Sequence, residues 1–158
     1  MNVLISGGCG QVGSHVAELL LARGDSVVII DNFATGRREH CKHHPQLVII
    51  EGTIADKSLV NDVMERHGVD VIVHAAAAYK NPDDWHEDTM TNCVGGANLI
   101  MAAKKYGVKR FLYYQTALCY GTKPQHNPIT LEHHRFPNNS SYSISKTTTE
   151  EYLELAKL

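Results

Sequence analysis

Tyr142 and Lys146 stand four residues apart in Tyr142-Ser143-Ile144-Ser145-Lys146. On a helix that spacing puts a phenol and an ammonium on one face, about one turn apart. A free tyrosine ionises near pH 10, so service as a base near neutrality costs roughly 4 kcal/mol. A cation about 4 Å away, at an effective dielectric near 20, supplies roughly that amount. On magnitude, Lys146 suffices to make Tyr142 a general base. The plain alternative is an exposed helix start, since such pairs recur by chance. Position favours chemistry: this is the first helix after the fifth predicted strand. Thr116 follows that strand in Gln115-Thr116-Ala117-Leu118-Cys119-Tyr120-Gly121. Its hydroxyl could bridge a substrate oxygen and Tyr142, or simply cap the strand end.

A second constellation opens the chain. Ser6-Gly7-Gly8-Cys9-Gly10-Gln11-Val12-Gly13 follows the first apolar run directly. Gly8, Gly10 and Gly13 satisfy GxGxxG, and Gly7, Gly10 and Gly13 give GxxGxxG. A side chain here would keep backbone amides from a diphosphate, and the next helix offers its positive end. Glycine turns also merely connect strands to helices; the strand–turn–helix context makes this one specific. Asp31 lies eighteen residues past Gly13, at the tip of the second strand. A carboxylate there accepts both ribose hydroxyls of NAD and repels the extra phosphate of NADP. Arg37 and Arg38 could instead welcome that phosphate, but Asp31 holds the strand tip. NAD is the expected cofactor, and its cationic nicotinamide would further favour the Tyr142 phenolate.

These residues need a scaffold that brings them to one rim. Residues 3–5, 26–30, 47–50, 71–73 and 110–114 read as strands without polar alternation. Helices are predicted from Val12, Val16, Leu19 and Leu20, over 57–66 with a stop at His67-Gly68, and over 85–106 closed by Gly107. A Pro-, Asn- and His-rich loop spans 120–139, after which Ser140 or Ser141 caps a final helix. Apolar strands alternating with helices make a parallel sheet covered on both faces. The fold class is α/β: a doubly wound, Rossmann-type sheet of about five strands, in order 3-2-1-4-5.

The 158 residues fit one domain with a real core, and 43% apolar against 20% charged residues is ordinary for a globule. Fifteen basic and seventeen acidic side chains give a formal charge of -2. No global field would gather nucleic acid or an anionic membrane, so neither is an expected partner. The strand signal begins at Asn2-Val3, which leaves no room for a signal peptide, and no apolar run has bilayer length. Cys9, Cys41, Cys93 and Cys119 are widely spaced and read as reduced thiols; a cytoplasmic location is expected. His40, His43, His44 and the pair His133-His134 lack the arrangement of a closed zinc site, and no metal is expected. His74 reads as a packed strand-end residue, and Asn139-Ser140-Ser141 as a helix cap.

Taken in order, the landmarks resemble the extended short-chain dehydrogenase/reductases over essentially the whole chain. They are the glycine turn, Asp31-Asn32-Phe33-Ala34-Thr35-Gly36, Glu51-Gly52-Thr53-Ile54, His74-Ala75-Ala76-Ala77, Asn92 with Gly95, Thr116 to Gly121, and Tyr142 with Lys146. The DNFxTGR and QTALCYG stretches look closest to bacterial nucleotide-sugar epimerases of surface-polysaccharide synthesis. The resemblance implies that Gly7, Gly10, Gln11 and Val12 hold the pyrophosphate, and Asp31, Asn32, Thr35 and Gly36 the adenosine ribose. Thr53 and Ile54 would flank adenine, with Ala75 and Ala76 under the dinucleotide. Thr116, Tyr142 and Lys146 would form the catalytic set, supported by Asn92, with Tyr142 and Lys146 also touching the cofactor.

Three departures accompany it. Thr53 stands where the family usually has Asp, and Gln11 where an aromatic is common. The chain also stops at Leu158, where family members continue into a C-terminal lobe for the sugar nucleotide. Residues 1–158 are thus expected to be an NAD-binding domain without that lobe. Strand five would be a sheet edge, and self-association into a homo-oligomer is expected. The implied activity is epimerisation of a sugar nucleotide; the alternatives are a dehydratase or decarboxylase, or an NAD-binding module without turnover.

Overall fold

The computed structural model describes residues 1–121 and 128–158. Residues 122–127 of the expected 120–139 loop therefore lie outside the described residues. Five strands, β1 (Asn2–Ser6), β2 (Ser26–Asp31), β3 (Leu47–Glu51), β4 (Val71–His74) and β5 (Arg110–Tyr113), form one sheet. Its order is β3-β2-β1-β4-β5, every pairing parallel, as expected from the alternating pattern. The helices are α1 (Gln11–Ala22), α2 (Lys57–His67), α3 (Trp85–Asp88), α4 (Gly96–Tyr106) and α5 (Ser141–Ala156).

The two faces of each central strand feed different cores. Val3, Ile5, Val27, Ile29, Val71 and Val73 meet Ala17 of α1 on one side. Leu4, Val28, Ile30 and Ile72 meet Val60, Val63 and Met64 of α2 and Leu99, Ala102 and Ala103 of α4 on the other. Burial on both faces explains why the strands show no polar alternation. Helix α1 is present where the spacing of Val12, Val16, Leu19 and Leu20 puts it, and these four residues divide: Val16 and Leu20 pack against the sheet core, while Val12 and Leu19 are 51% and 72% exposed. The fully buried positions of α1 are Gly13, Ser14 and Ala17, because a helix leaving a tight turn starts close to the strands, and Leu21 packs beside them at its far end.

The boundaries follow capping chemistry. Asp56 accepts the Ser58 and Leu59 amides at the start of α2, and Gly68 ends it in the left-handed region. Ser140 accepts the Ser143 amide at 3.1 Å and so is the cap of α5. The helix expected over 85–106 is present but not uniform: α3 and α4 are joined by a π-helical segment, Thr89–Gly95. That wider turn leaves a carbonyl for another donor, and the Thr149 hydroxyl of α5 bonds to Asn92 O at 2.5 Å. All four cysteines are free.

α4 and α5 cross at Gly96. A Cβ built there would lie 2.3 Å from the Thr149 hydroxyl oxygen. Gly96→Ala should therefore lower stability by about 1–3 kcal/mol through overpacking, although intrinsic helix propensity favours alanine by up to about 1 kcal/mol. Urea denaturation checks this; a stabilised variant would mean that the helices can separate freely.

Candidate dinucleotide and catalytic site

β1 delivers the chain into a turn only glycine can make. Gly7 sits at φ +70, and a Cβ there would be 2.7 Å from backbone atoms of Ala76. At Gly13 a Cβ would be 2.4 Å from the Gly7 carbonyl oxygen. The turn is tied by Gly7 N to Ile30 O at 2.8 Å and Gly10 N to Gly7 O at 3.1 Å. No side chain caps α1, so its first amides are without a side-chain partner.

Asp31, buried at the tip of β2, fastens this turn to the next loop. One carboxylate oxygen accepts Cys9 N at 2.8 Å and the other accepts Phe33 N at 2.9 Å. Gly36 closes against the same carboxylate, where a Cβ would be 3.0 Å from both oxygens. A carboxylate has about four acceptor sites, so capacity remains for ribose hydroxyls. Of the two arginines that could favour a 2′-phosphate, Arg38 stacks over the Phe33 ring at 4.9 Å and lies 3.8 Å from Glu51. Arg37 lines the cavity.

That cavity encloses about 890 Å³. Its wall includes Gly7, Gly10, Gln11 and Val12 at the turn, then Asp31, Asn32, Thr35 and Gly36. Thr53 and Ile54 follow on one side, and Ala75 and Ala76 beneath. Every residue expected to touch the dinucleotide, apart from the Tyr142–Lys146 pair, thus lies on one continuous surface. The Thr53 hydroxyl is occupied locally, accepting Ala55 N at 3.2 Å. Asn98 holds this loop by donating to Ile54 O and Ala55 O. It was not singled out in the sequence, because its role depends on α4 passing β3's loop.

Thr116, Tyr142 and Lys146 stand at the carboxyl ends of β4 and β5, on the same rim as the glycine turn. They do not line the cavity themselves. Tyr142 adjoins it through Tyr79, a wall residue whose ring centroid lies 6.4 Å away. Asn92 binds the parts together: its Oδ1 accepts Ala78 N at 2.9 Å, while Nδ2 donates to Ala78 O at 3.0 Å and Ser145 Oγ at 2.9 Å. One amide thereby locks the loop after β4 to α5. Thr116 Oγ1 accepts Leu118 N at 3.2 Å and so caps the turn after β5, with its hydroxyl also beside Tyr142.

The electrostatics differ from the expectation. Burial raises the Tyr142 phenol above its ordinary range; Tyr79 and Asp88 add to this, and the Thr116 hydroxyl partly offsets it. Lys146 is only 2% exposed, and burial brings its ammonium down to about 8. Its Nζ rests 4.1 Å above the Tyr113 ring, a cation–π contact, while the Tyr113 hydroxyl donates to Lys146 O at 2.9 Å. The polypeptide alone therefore raises the phenol, opposite in sign to the effect expected from Lys146. Desolvation is the largest cause, and Lys146, seated over the Tyr113 ring, is not among the groups that shift the phenol. Tyr113 is a supporting residue that the sequence did not reveal.

His74 is fully packed at the end of β4, with Ser6 Oγ 2.7 Å from its Nδ1 and Phe111 and Tyr113 against its ring. Burial, and then the Lys146 charge, push it down to about 3.

Fold and rim define the class: a Rossmann domain of the short-chain dehydrogenase/reductase kind. Residues 3–157 match the NAD dependent epimerase/dehydratase family, and the chain belongs to that family. Among solved structures, the Bordetella bronchiseptica enzyme WbmH in complex with NAD⁺ is 61% identical, with TM-score 0.97, over 99% of this chain and 53% of that one. WbmG of the same organism, in complex with NAD and UDP, is 45% identical with TM-score 0.93, over 97% of this chain and 49% of its own. A UDP-glucose 4-epimerase of Lacticaseibacillus casei is 31% identical over 99% of this chain and 47% of that protein. An Arabidopsis thaliana UDP-glucuronic acid decarboxylase is 38% identical over 82% of this chain and 29% of its own. The chain spans about half the length of the epimerases it matches. Among the described residues no helix is long and apolar enough to cross a membrane.

A histidine held neutral gives a signed pH dependence. Below about pH 6.5 the unfolded chain takes a proton that folded His74 refuses until about pH 3. Its contribution to stability should thus fall steadily as pH drops through that window. Urea midpoints measured from pH 7 to pH 4 should decline less steeply in His74→Gln; equal slopes would show that His74 is not held neutral.

Proposed function

We propose that this chain binds NAD along the 890 Å³ cavity and forms the cofactor domain of a nucleotide-sugar epimerase. The observation that carries the reading is the shared rim. A diphosphate at the Gly7–Gly13 amides and a ribose at Asp31 leave the other half of a dinucleotide running over Ala75 and Ala76 towards Tyr142. Gly7, Gly10, Gln11 and Val12 would hold the pyrophosphate, with Asn32, Thr35 and Gly36 around the ribose and Thr53 and Ile54 beside adenine. The NAD-bound WbmH and WbmG structures, matched over nearly all of this chain, support NAD as the ligand.

When bound, NAD supplies a reversible acceptor for hydride from a sugar carbinol carbon. Tyr142 then takes the proton of that hydroxyl, Thr116 orients the oxygen, and Lys146 offers its ammonium to the nicotinamide ribose and to the phenol. Asn92 keeps the Ala78 loop and α5 in register. Burial raises the phenol's affinity for its proton, so a cationic group held beside Tyr142 would favour its service as a base. Tyr142 would give the same proton back as the centre is inverted, so that the protein residues end the cycle as they began it. A decarboxylase is the second reading, favoured by the 38% identity to plant UDP-glucuronic acid decarboxylases. It begins with the same oxidation. Residence in the cytoplasm and assembly with a second copy are part of the proposal.

Two measurements test it. Fluorescence titration should find NADH bound at least about tenfold more tightly than NADPH, since Asp31 repels a 2′-phosphate; the reverse order would overturn the cofactor assignment. In the enzyme carrying this domain, Tyr142→Phe should cut turnover of UDP-sugars by roughly 100-fold or more while leaving NAD affinity nearly unchanged. Retained turnover would remove Tyr142 from the mechanism.

A further inference from the structure

Three carboxylates open the helix that follows β4, and two have local partners. Asp84 accepts Glu87 N at 3.0 Å, and Glu87 accepts the Thr91 hydroxyl at 2.7 Å. Asp88 differs. It is 2% exposed, yet its Oδ2 accepts no hydrogen bond from any described residue. A buried acceptor without a donor is costly, more so when ionised, and an otherwise satisfied interior makes such an atom a sign of a missing partner. Asp88 also lines the 890 Å³ cavity, as do Tyr79 and Thr91. Its charge reaches the Tyr142 phenol.

We propose that Asp88 is a ligand-binding residue of this cavity, accepting a hydrogen bond from a neutral donor, a hydroxyl or amide N–H, on whatever lies beside Tyr142. The inference rests on the NAD reading above and extends it. A phosphate or carboxylate at this point would be repelled, so the diphosphate belongs at the glycine end and an uncharged segment at the Asp88 end. Two ligands carry such a donor there: the nicotinamide half of the dinucleotide and the sugar of the second substrate.

The test is calorimetric titration of NAD into the wild type, Asp88→Asn and Asp88→Ala, then of UDP-glucose into each NAD-saturated protein. At least one affinity should fall by roughly tenfold or more, while the thermal midpoint holds or rises because a desolvated charge is gone. A weaker NAD affinity identifies the dinucleotide as donor. Weaker UDP-glucose binding with NAD unchanged identifies the sugar. Unchanged NAD affinity with UDP-glucose binding unchanged, or absent throughout, overturns the proposal; so does a lowered midpoint with intact affinities, the mark of a purely structural acid. A wild type that binds no NAD refutes the cofactor reading itself, and this inference with it.

Discussion

One buried carboxylate organises the dinucleotide side of the molecule. Asp31 receives the Cys9 and Phe33 amides on its two oxygens, and bonds to a charged acceptor contribute about 1.5–3 kcal/mol each. It thereby ties the glycine turn after β1 to the loop after β2, two segments that His40 Nδ1 at Cys9 O and Cys41 Sγ at Gly8 O also join. The loop answers with Gly36 pressed on the same carboxylate and with Arg37 N donating to Cys9 O at 3.0 Å. Asp31 thus sits between the two halves of the cavity wall from Gly7 to Gly36 and bonds to both.

The other end of the rim depends on a different joint. The π-helical turn Thr89–Gly95 puts Asn92 where its side chain holds Ala78 in both directions and reaches Ser145, while its carbonyl takes Thr149. Gly96 lets α4 and α5 approach closely enough for that bond. The helix carrying Tyr142 and Lys146 is thus clamped to the loop that continues the cavity wall. Lys146, sunk against Tyr113 and brought down to about 8 by burial, is poised to change charge near neutrality.

Most of the fold was legible in the sequence, since apolar runs buried on both faces and helical spacing each have a local signature. Strand order followed from the alternation and the handedness of crossovers. The burial of α1 was legible only in part. Val16 and Leu20 pack against the sheet core as a helical apolar period implies, whereas Val12 and Leu19 match the same period but point to solvent, and the fully buried positions are the small residues Gly13, Ser14 and Ala17. The sign of the Tyr142 shift was also hidden. Spacing gives the direction of Lys146 along a helix, but not how much water the rest of the protein removes from either group.

The sequence by itself determined the parts: glycines where a Cβ cannot stand, an acid at a strand tip, a phenol and an ammonium one turn apart. These are constraints of covalent geometry and charge type, which travel with residue identity. Only the tertiary structure decided how the parts are balanced. Asn98 and Tyr113 take their roles from neighbours distant in the chain, and desolvation depends on everything packed around a group. Burial and partnership are properties of the assembled interior, and no local spacing encodes them.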